Sequence, residues 1–121
     1  MSSHPIHRLD DDVHQRVRLG ILAVLTSVAK ADFAHLKATL QLTDGNLGRH
    51  LQVLEQSGLI TIDKTTENGR PRTWLQVTRK GRTALRRELK ALNDLIAEIE
   101  RNDGSAAEQR VRATGKPAPE M

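Results

Sequence analysis

Hydrophobic residues first recur at helical spacing near the start of the chain. Val13, Val17, Ile21, Leu25 and Val28 follow one another at steps of three and four, the period of one helix face. This predicts a first helix over residues 11–28, with Asp10, Asp11 and Asp12 where its N-terminus favours negative charge. Phe33, Leu36 and Leu40 form a second, shorter stripe. Asp32 is placed to cap that helix, which should end near Gln41. A third helix has the clearest start and stop. Thr43 is its cap, Leu42 and Leu47 stand at the positions of a hydrophobic staple, and Leu51 and Leu54 continue the stripe. Gly58 stands just past the last turn, where a left-handed residue is expected.

The period then changes to two. Ile60 and Ile62 alternate with Thr61 and Asp63, and Thr73, Leu75 and Val77 alternate with Trp74 and Gln76. Asn68-Gly69 lies between the runs and suits a hairpin turn. Since Lys64 to Pro71 carries no large apolar side chain, a hairpin with an extended tip is predicted. Thr78 can cap a fourth helix, in which Leu85, Leu89, Leu92, Ile96 and Ile99 follow at spacings of 4, 3, 4 and 3. That is a coiled-coil-like seam of about two heptads. The pattern stops after Arg101. The expected organisation is an N-terminal arm over 1–10, one domain over 11–101 and a disordered tail over 102–121. The fold class is mainly α with a small β-hairpin, a winged helix-turn-helix dimeric through its first and last helices. The apolar residues Leu19, Leu22 and Val24 are assigned to the first helix's share of that interface.

Composition narrows the function. Phe33 and Trp74 are the only aromatics, so the core is aliphatic. There is no cysteine, which excludes disulfides, thiolate metal sites and a Cys nucleophile. No apolar run approaches the roughly 20 residues of a membrane span, so no membrane partner is expected. The N-terminus lacks the apolar core of a signal peptide, which leaves the cytoplasm as the default location. The net charge is +4, and it is uneven. From Arg49 to Lys90 there are ten Lys or Arg against four Asp or Glu; before Arg49 the count is five against five. A basic second half points to a polyanion, most often nucleic acid.

The link from Gln41 to Thr43 is short enough to force a helix-turn-helix. In such a unit the second helix enters the major groove of double-stranded DNA with its N-terminal residues at base edges. With Leu47, Leu51 and Leu54 buried, a turn of about 100° per residue places Gly45, Arg49, Gln52 and Gln56 outward. Asn46 and Val53 lie on a flank, and His50 lies at the core boundary. Arg can pair with guanine, and Asn or Gln with adenine. Arg49 and Asn46, then Gln52, are the candidate base readers. Thr43 and Gly45 are the candidate phosphate contacts at the helix start. The same face could be an ordinary solvated one, and Asn46 could simply complete the cap. Lys64, Asn68, Gly69, Arg70 and Arg72 are candidates for a groove or backbone contact from the hairpin. Arg79, Lys80 and Arg82 are candidates for flanking phosphates, within a basic stretch that includes Arg86 and Arg87. Leu85, Leu89, Leu92, Ile96 and Ile99 are the candidate dimer seam, unless they pack only on their own core.

These residues carry a family resemblance. Phe33–Lys37 and Leu42–Ile60 resemble the winged-helix regulators of the multiple-antibiotic-resistance and arsenical-resistance type, above all their small single-domain prokaryotic group. Val77–Arg82 resembles the threonine, two residues, glycine, arginine junction that follows the hairpin in that group. The resemblance spans about residues 9 to 97. It implies a homodimer on a pseudo-palindromic operator, usually repressing. The chain departs from the wider pattern in having no sensor cysteine, and in Gly48, where a small hydroxyl residue is common.

Rival readings have weaker support. No phosphate loop, zinc-protease motif or nucleophile elbow is present, which argues against an enzyme and its cofactors. A metal-responsive regulator would draw on His4, His7 and His14 with Asp10 to Asp12. A winged helix used only as a protein-interaction module would not need the basic hairpin. No residue marks a pocket, so an unknown small-molecule effector stays open as a partner.

Overall fold

The computed structural model describes the backbone of residues 4–114 and the side chains of residues 4–104. A 3-10 turn, Pro5–Arg8, is followed by α1 (Arg16–Thr26), β1 (Ala31–Asp32), α2 (Phe33–Leu40), α3 (Asp44–Gln56), β2 (Ile60–Glu67), β3 (Arg70–Val77) and α4 (Arg79–Thr114). The strands form one antiparallel sheet in the order β1-β3-β2.

α1 is shorter than its apolar spacing predicts. The Asp residues do not sit in its first turn; Gln15 is the cap, and its side chain accepts from the Arg18 N–H. The Asp10 carbonyl accepts the Val13 N–H, and the Asp10 side chain accepts the Asp12 N–H at 2.9 Å. Short acidic side chains compete for local N–H groups and favour a turn over a helix. Val13 is still fully buried, but from that turn, while Val28 lies past the helix and is exposed.

One aliphatic core joins the elements. Ile21, Leu22 and Leu25 of α1 meet Leu36, Leu47, Leu51, Leu54, Ile60 and Leu75, all of them buried. Leu19 and Val24 pack against the same cluster. Of the α1 residues assigned to a dimer interface, Leu22 is wholly buried in the protomer's own core, while Leu19 and Val24 are partly buried against it. Leu85 is likewise buried in that core rather than free on a seam.

Two features of the sheet differ from the sequence expectation. β1 is a third strand of only two residues, with Ala31 opposite Leu75 and Asp32 opposite Trp74. The hairpin has no extended tip. Lys64 pairs with Thr73, Thr65 with Arg72, Thr66 with Pro71 and Glu67 with Arg70, which leaves a two-residue turn. Asn68 and Gly69 there have φ of 54° and 75°, and both positive values are what a tight hairpin turn requires. The backbone ladder continues although no apolar side chain is buried along it.

Gly81 explains how α4 meets the rest. A Cβ at this position would run into the Leu59 carbonyl oxygen and lie 2.8 Å from Val77 Cγ2. Thr78 caps α4 through the Gly81 N–H and donates its hydroxyl to the Gly58 carbonyl, so one side chain ties the helix start to the end of α3. α4 then continues past Arg101 to Thr114. Of the tail expected to be disordered, residues 102–114 are helical and 115–121 lie outside the described residues.

Candidate nucleic-acid interface

α3 is built as its sequence predicts. The Thr43 hydroxyl accepts the Asn46 N–H at 3.1 Å. The chain reaches this cap through Gln41, whose φ of 54° makes the left-handed turn that ends α2. Leu47, Leu51 and Leu54 are buried. Thr43, Gly45, Arg49, Gln52 and Gln56 are exposed, which leaves a polar outer face. Asn46 is half-buried, and its Oδ1 is buried with no hydrogen-bond partner among the described residues. An unpaired buried acceptor costs about 1–3 kcal/mol, so this amide gains by turning toward a donor. Asp44, the one acid in the first turn, is paired with Lys37 of α2 at 2.7 Å.

His50 lies on the inner side, buried, with its Nδ1 3.1 Å from Arg18 Nη1. Burial first, then the charges of Arg18 and Arg49, hold its imidazole below the ordinary histidine range. It does not reach the outer face.

The hairpin candidates divide between two faces. Residues directly opposite one another share a face, so Lys64 and Thr73 stand on the side that carries Ile62 and Leu75. Arg70 and Arg72 stand on the other side, with Glu67 and Trp74. Lys64, Asn68, Gly69 and Arg70 are exposed. Arg72 is engaged within the chain, 3.3 Å from Asp32 and 3.6 Å from Glu67. The Trp74 indole N–H donates to Glu67 at 2.8 Å, and this bond, outweighing desolvation, leads the effects that hold the Glu67 carboxyl below its usual range.

On α4, Arg79, Lys80, Arg82, Arg86 and Arg87 are all exposed. Arg82 also donates to the Thr26 carbonyl at the end of α1. Of the predicted seam, Leu89, Ile96 and Ile99 are 47%, 52% and 52% exposed. Leu92 is half-buried. Among the described residues, these three large aliphatics of one helix therefore stay about half open to solvent.

Residues 17–96 match the winged helix DNA-binding domain family. The chain belongs to this family. It is a winged-helix, DNA-binding transcriptional regulator, as the sequence resemblance implied. An uncharacterized protein of Methanocaldococcus jannaschii is 39% identical over 84 residues, covering 69% of this chain and 91% of its own length. The structure of a transcriptional regulator homologue from Pyrococcus horikoshii is similar with a TM-score of 0.69 and 36% identity, over 73% of this chain and 87% of that one. A Mycobacterium tuberculosis transcriptional regulator solved in complex with DNA shares the fold, with a TM-score of 0.60 and 21% identity over 91% and 86% of the two chains. In winged-helix terms, β2 and β3 are the wing and α2 and α3 the helix-turn-helix.

Sequence reasoning missed three groups that position this interface. Arg18 donates to the Asp12 and Asp11 carbonyls and reaches His50, joining the N-terminal turn to α3. Ser57, at the end of α3, donates to Asp12 at 2.6 Å. Glu88, wholly buried on α4, accepts the Asp10 N–H at 2.9 Å and lies 2.5 Å from His14 Nδ1. These contacts link residues far apart in sequence, and no local pattern marks them. A charged residue inside an apolar repeat, Glu88 between Leu85 and Leu89, was the one available signal. The arm is fastened farther along α4 by Arg8 on Asp94 at 2.7 Å and His4 near Glu98 at 3.7 Å. His4 and His14 thus meet different acids, and among the described residues no group of three or more His, Asp or Glu is arranged to hold a metal. No described helix is long and apolar enough to cross a membrane.

Proposed function

We propose that the protein is a homodimeric, sequence-specific repressor whose α3 enters the major groove. The observation that carries this reading is the outer face of α3. A helix clamped to the core by three leucines presents Gly45, Arg49 and Gln52 on its exposed face, directly after a three-residue turn. Arg49 pairs with a guanine edge. Gln52 and Asn46 read neighbouring bases, Asn46 by swinging its unpartnered amide oxygen outward. Thr43 and the N–H groups around Gly45 meet phosphate. From the wing, Lys64, Asn68, Gly69 and Arg70 lie along the backbone or in the minor groove, while Arg79 and Lys80 neutralise flanking phosphates.

One helix reads only a few base pairs, and the second comes from a second copy. The exposed row Leu89, Ile96 and Ile99, with Leu92 beside it, supports α4 as the dimer helix. Occupation of a promoter by such a dimer blocks transcription, the mode usual in the family that the sequence resembles. The reading is tested by footprinting on genomic fragments that the chain retains. Two symmetric protected segments centred about 34–36 Å apart are expected. Ile96→Asp should yield a monomer by sedimentation, with loss of the paired footprint. A single asymmetric segment, or a dimer unaffected by Ile96→Asp, contradicts it.

A further inference from the structure

The wing beyond β1 has little to hold it in place. β1 backs only Trp74 and Leu75, and every residue from Asp63 to Arg72 is exposed. A two-stranded ribbon is marginal by itself, and burial holds this one only at its root, through Ile60 and Leu75. One face of the ribbon carries a chain of polar contacts that reaches the helix-turn-helix. Asp32 Oδ1 accepts the His35 N–H at 2.7 Å and caps α2. Its other oxygen, Oδ2, lies 3.3 Å from Arg72 Nη1. Arg72 Nε lies 3.6 Å from Glu67 Oε2, which also accepts from Trp74 Nε1 at 2.8 Å and from the Thr65 hydroxyl at 3.2 Å. The Trp74 ring is flanked by two cations, Lys30 Nζ at 4.4 Å and the Arg72 guanidinium at 5.5 Å from its centroid.

We propose that Arg72 is a positioning residue that braces the wing against the cap of α2 through Asp32, rather than a DNA contact. Three features support this. The guanidinium is a planar fork, and two of its nitrogens already face carboxylates. The pairs with Asp32 and Glu67 offset its charge, so a phosphate gains less from it than from an unpaired arginine. Among the described residues, Arg72–Asp32 is the ion pair that joins the ribbon beyond β1 to the helix-turn-helix, and the Asp32 side chain is 21% exposed, so solvent screens it less than an open pair. Asp32 thereby links two DNA-reading elements, α2 with α3 behind it and the wing.

This inference rests on the DNA-binding reading for its consequence, but the brace itself can be read without DNA. Trp74 is the only tryptophan, so its emission reports the site. The test compares the full chain with Arg72→Ala, Asp32→Asn and the double variant. Asparagine keeps a capping oxygen, so α2 is preserved. Without DNA, both single variants should shift Trp74 emission and raise its acrylamide quenching, and the double should do no more than either. On the duplex that the wild-type chain selects from a random pool, both should bind about three- to fivefold more weakly, as expected for losing one ion pair. The double should again match the singles, and the slope of log affinity against log salt should stay unchanged. If Arg72 instead grips phosphate, Arg72→Ala lowers that slope by about one and Asp32→Asn leaves binding equal or tighter. That pattern, or an unchanged Trp74 signal, overturns the proposal. If the wild type retains no duplex, the DNA-binding reading fails, and the Trp74 response alone upholds or overturns the brace.

Discussion

Leu47, Leu51 and Leu54 fasten α3 from beneath, whereas the wing from Asp63 to Arg72 buries no residue. Both elements present cations outward, so composition alone would rank them alike. Their supports differ in kind. The helix takes its position from the aliphatic core, and its outer face can vary without moving it. The wing takes its position from hydrogen bonds and ion pairs on its own surface, so the same side chains must be divided between holding and reaching. Arg49 is exposed and makes no ion pair among the described residues; Arg72 is held.

Substitutions can break this contrast in order of size. Leu51→Ala opens a cavity under α3 and should cost about 2–5 kcal/mol in urea unfolding. Arg72→Ala, which removes a partly exposed pair, should cost no more than about 1 kcal/mol; equal losses would erase the distinction. Between these two stands Gly81→Ala, at the joint where α4 meets Leu59. The added Cβ has no room there and should lower stability by about 1–3 kcal/mol. Gly48→Ala should act oppositely. Nothing lies near its Cβ position, so a helix-favouring residue should add up to about 1 kcal/mol while duplex affinity stays the same. The smallest effect concerns pH. The folded-state pKa of His50 is lowered by burial and by Arg18 and Arg49, so the unfolded chain binds its proton more readily. Stability should be full above the ordinary imidazole pKa and decline as pH falls below it. Unfolding midpoints of His50→Asn, compared with wild type across mildly acid pH, should lack that part of the decline.

Most of the fold could be read from local signals, and the exceptions have physical causes. The caps Asp32, Thr43 and Thr78 and the stripes of α2 and α3 are encoded within a few residues, and each appears where expected. β1 was not legible because two residues cannot show alternation; its partner supplies the strand. The outer wing looks like an extended hairpin tip because it buries nothing, yet backbone pairing and β-branched Thr65 and Thr66 suffice for strands. α1 was overextended because Val13 and Val28 fit its period by coincidence, one buried from a turn and the other exposed. The end of α4 was placed too early because Ala106, Ala107, Glu108, Gln109 and Arg110 favour helix without forming an apolar stripe. At the candidate interface, the sequence could order the residues around α3 by angle. It could not show that Arg72 is occupied or that the Asn46 oxygen lacks a partner, because both depend on neighbours brought in by the fold.

The central claim is that the exposed face of α3 reads base edges. The most direct measurement is competition binding of wild type and Arg49→Ala to the selected duplex, to single-base variants of it and to random duplex, at one salt concentration. Arg49→Ala should lose about 1–3 kcal/mol on the selected duplex. Discrimination should vanish at one G·C pair in each half-site, while random-duplex affinity falls far less. An equal loss on every duplex, with discrimination intact at all positions, would contradict it.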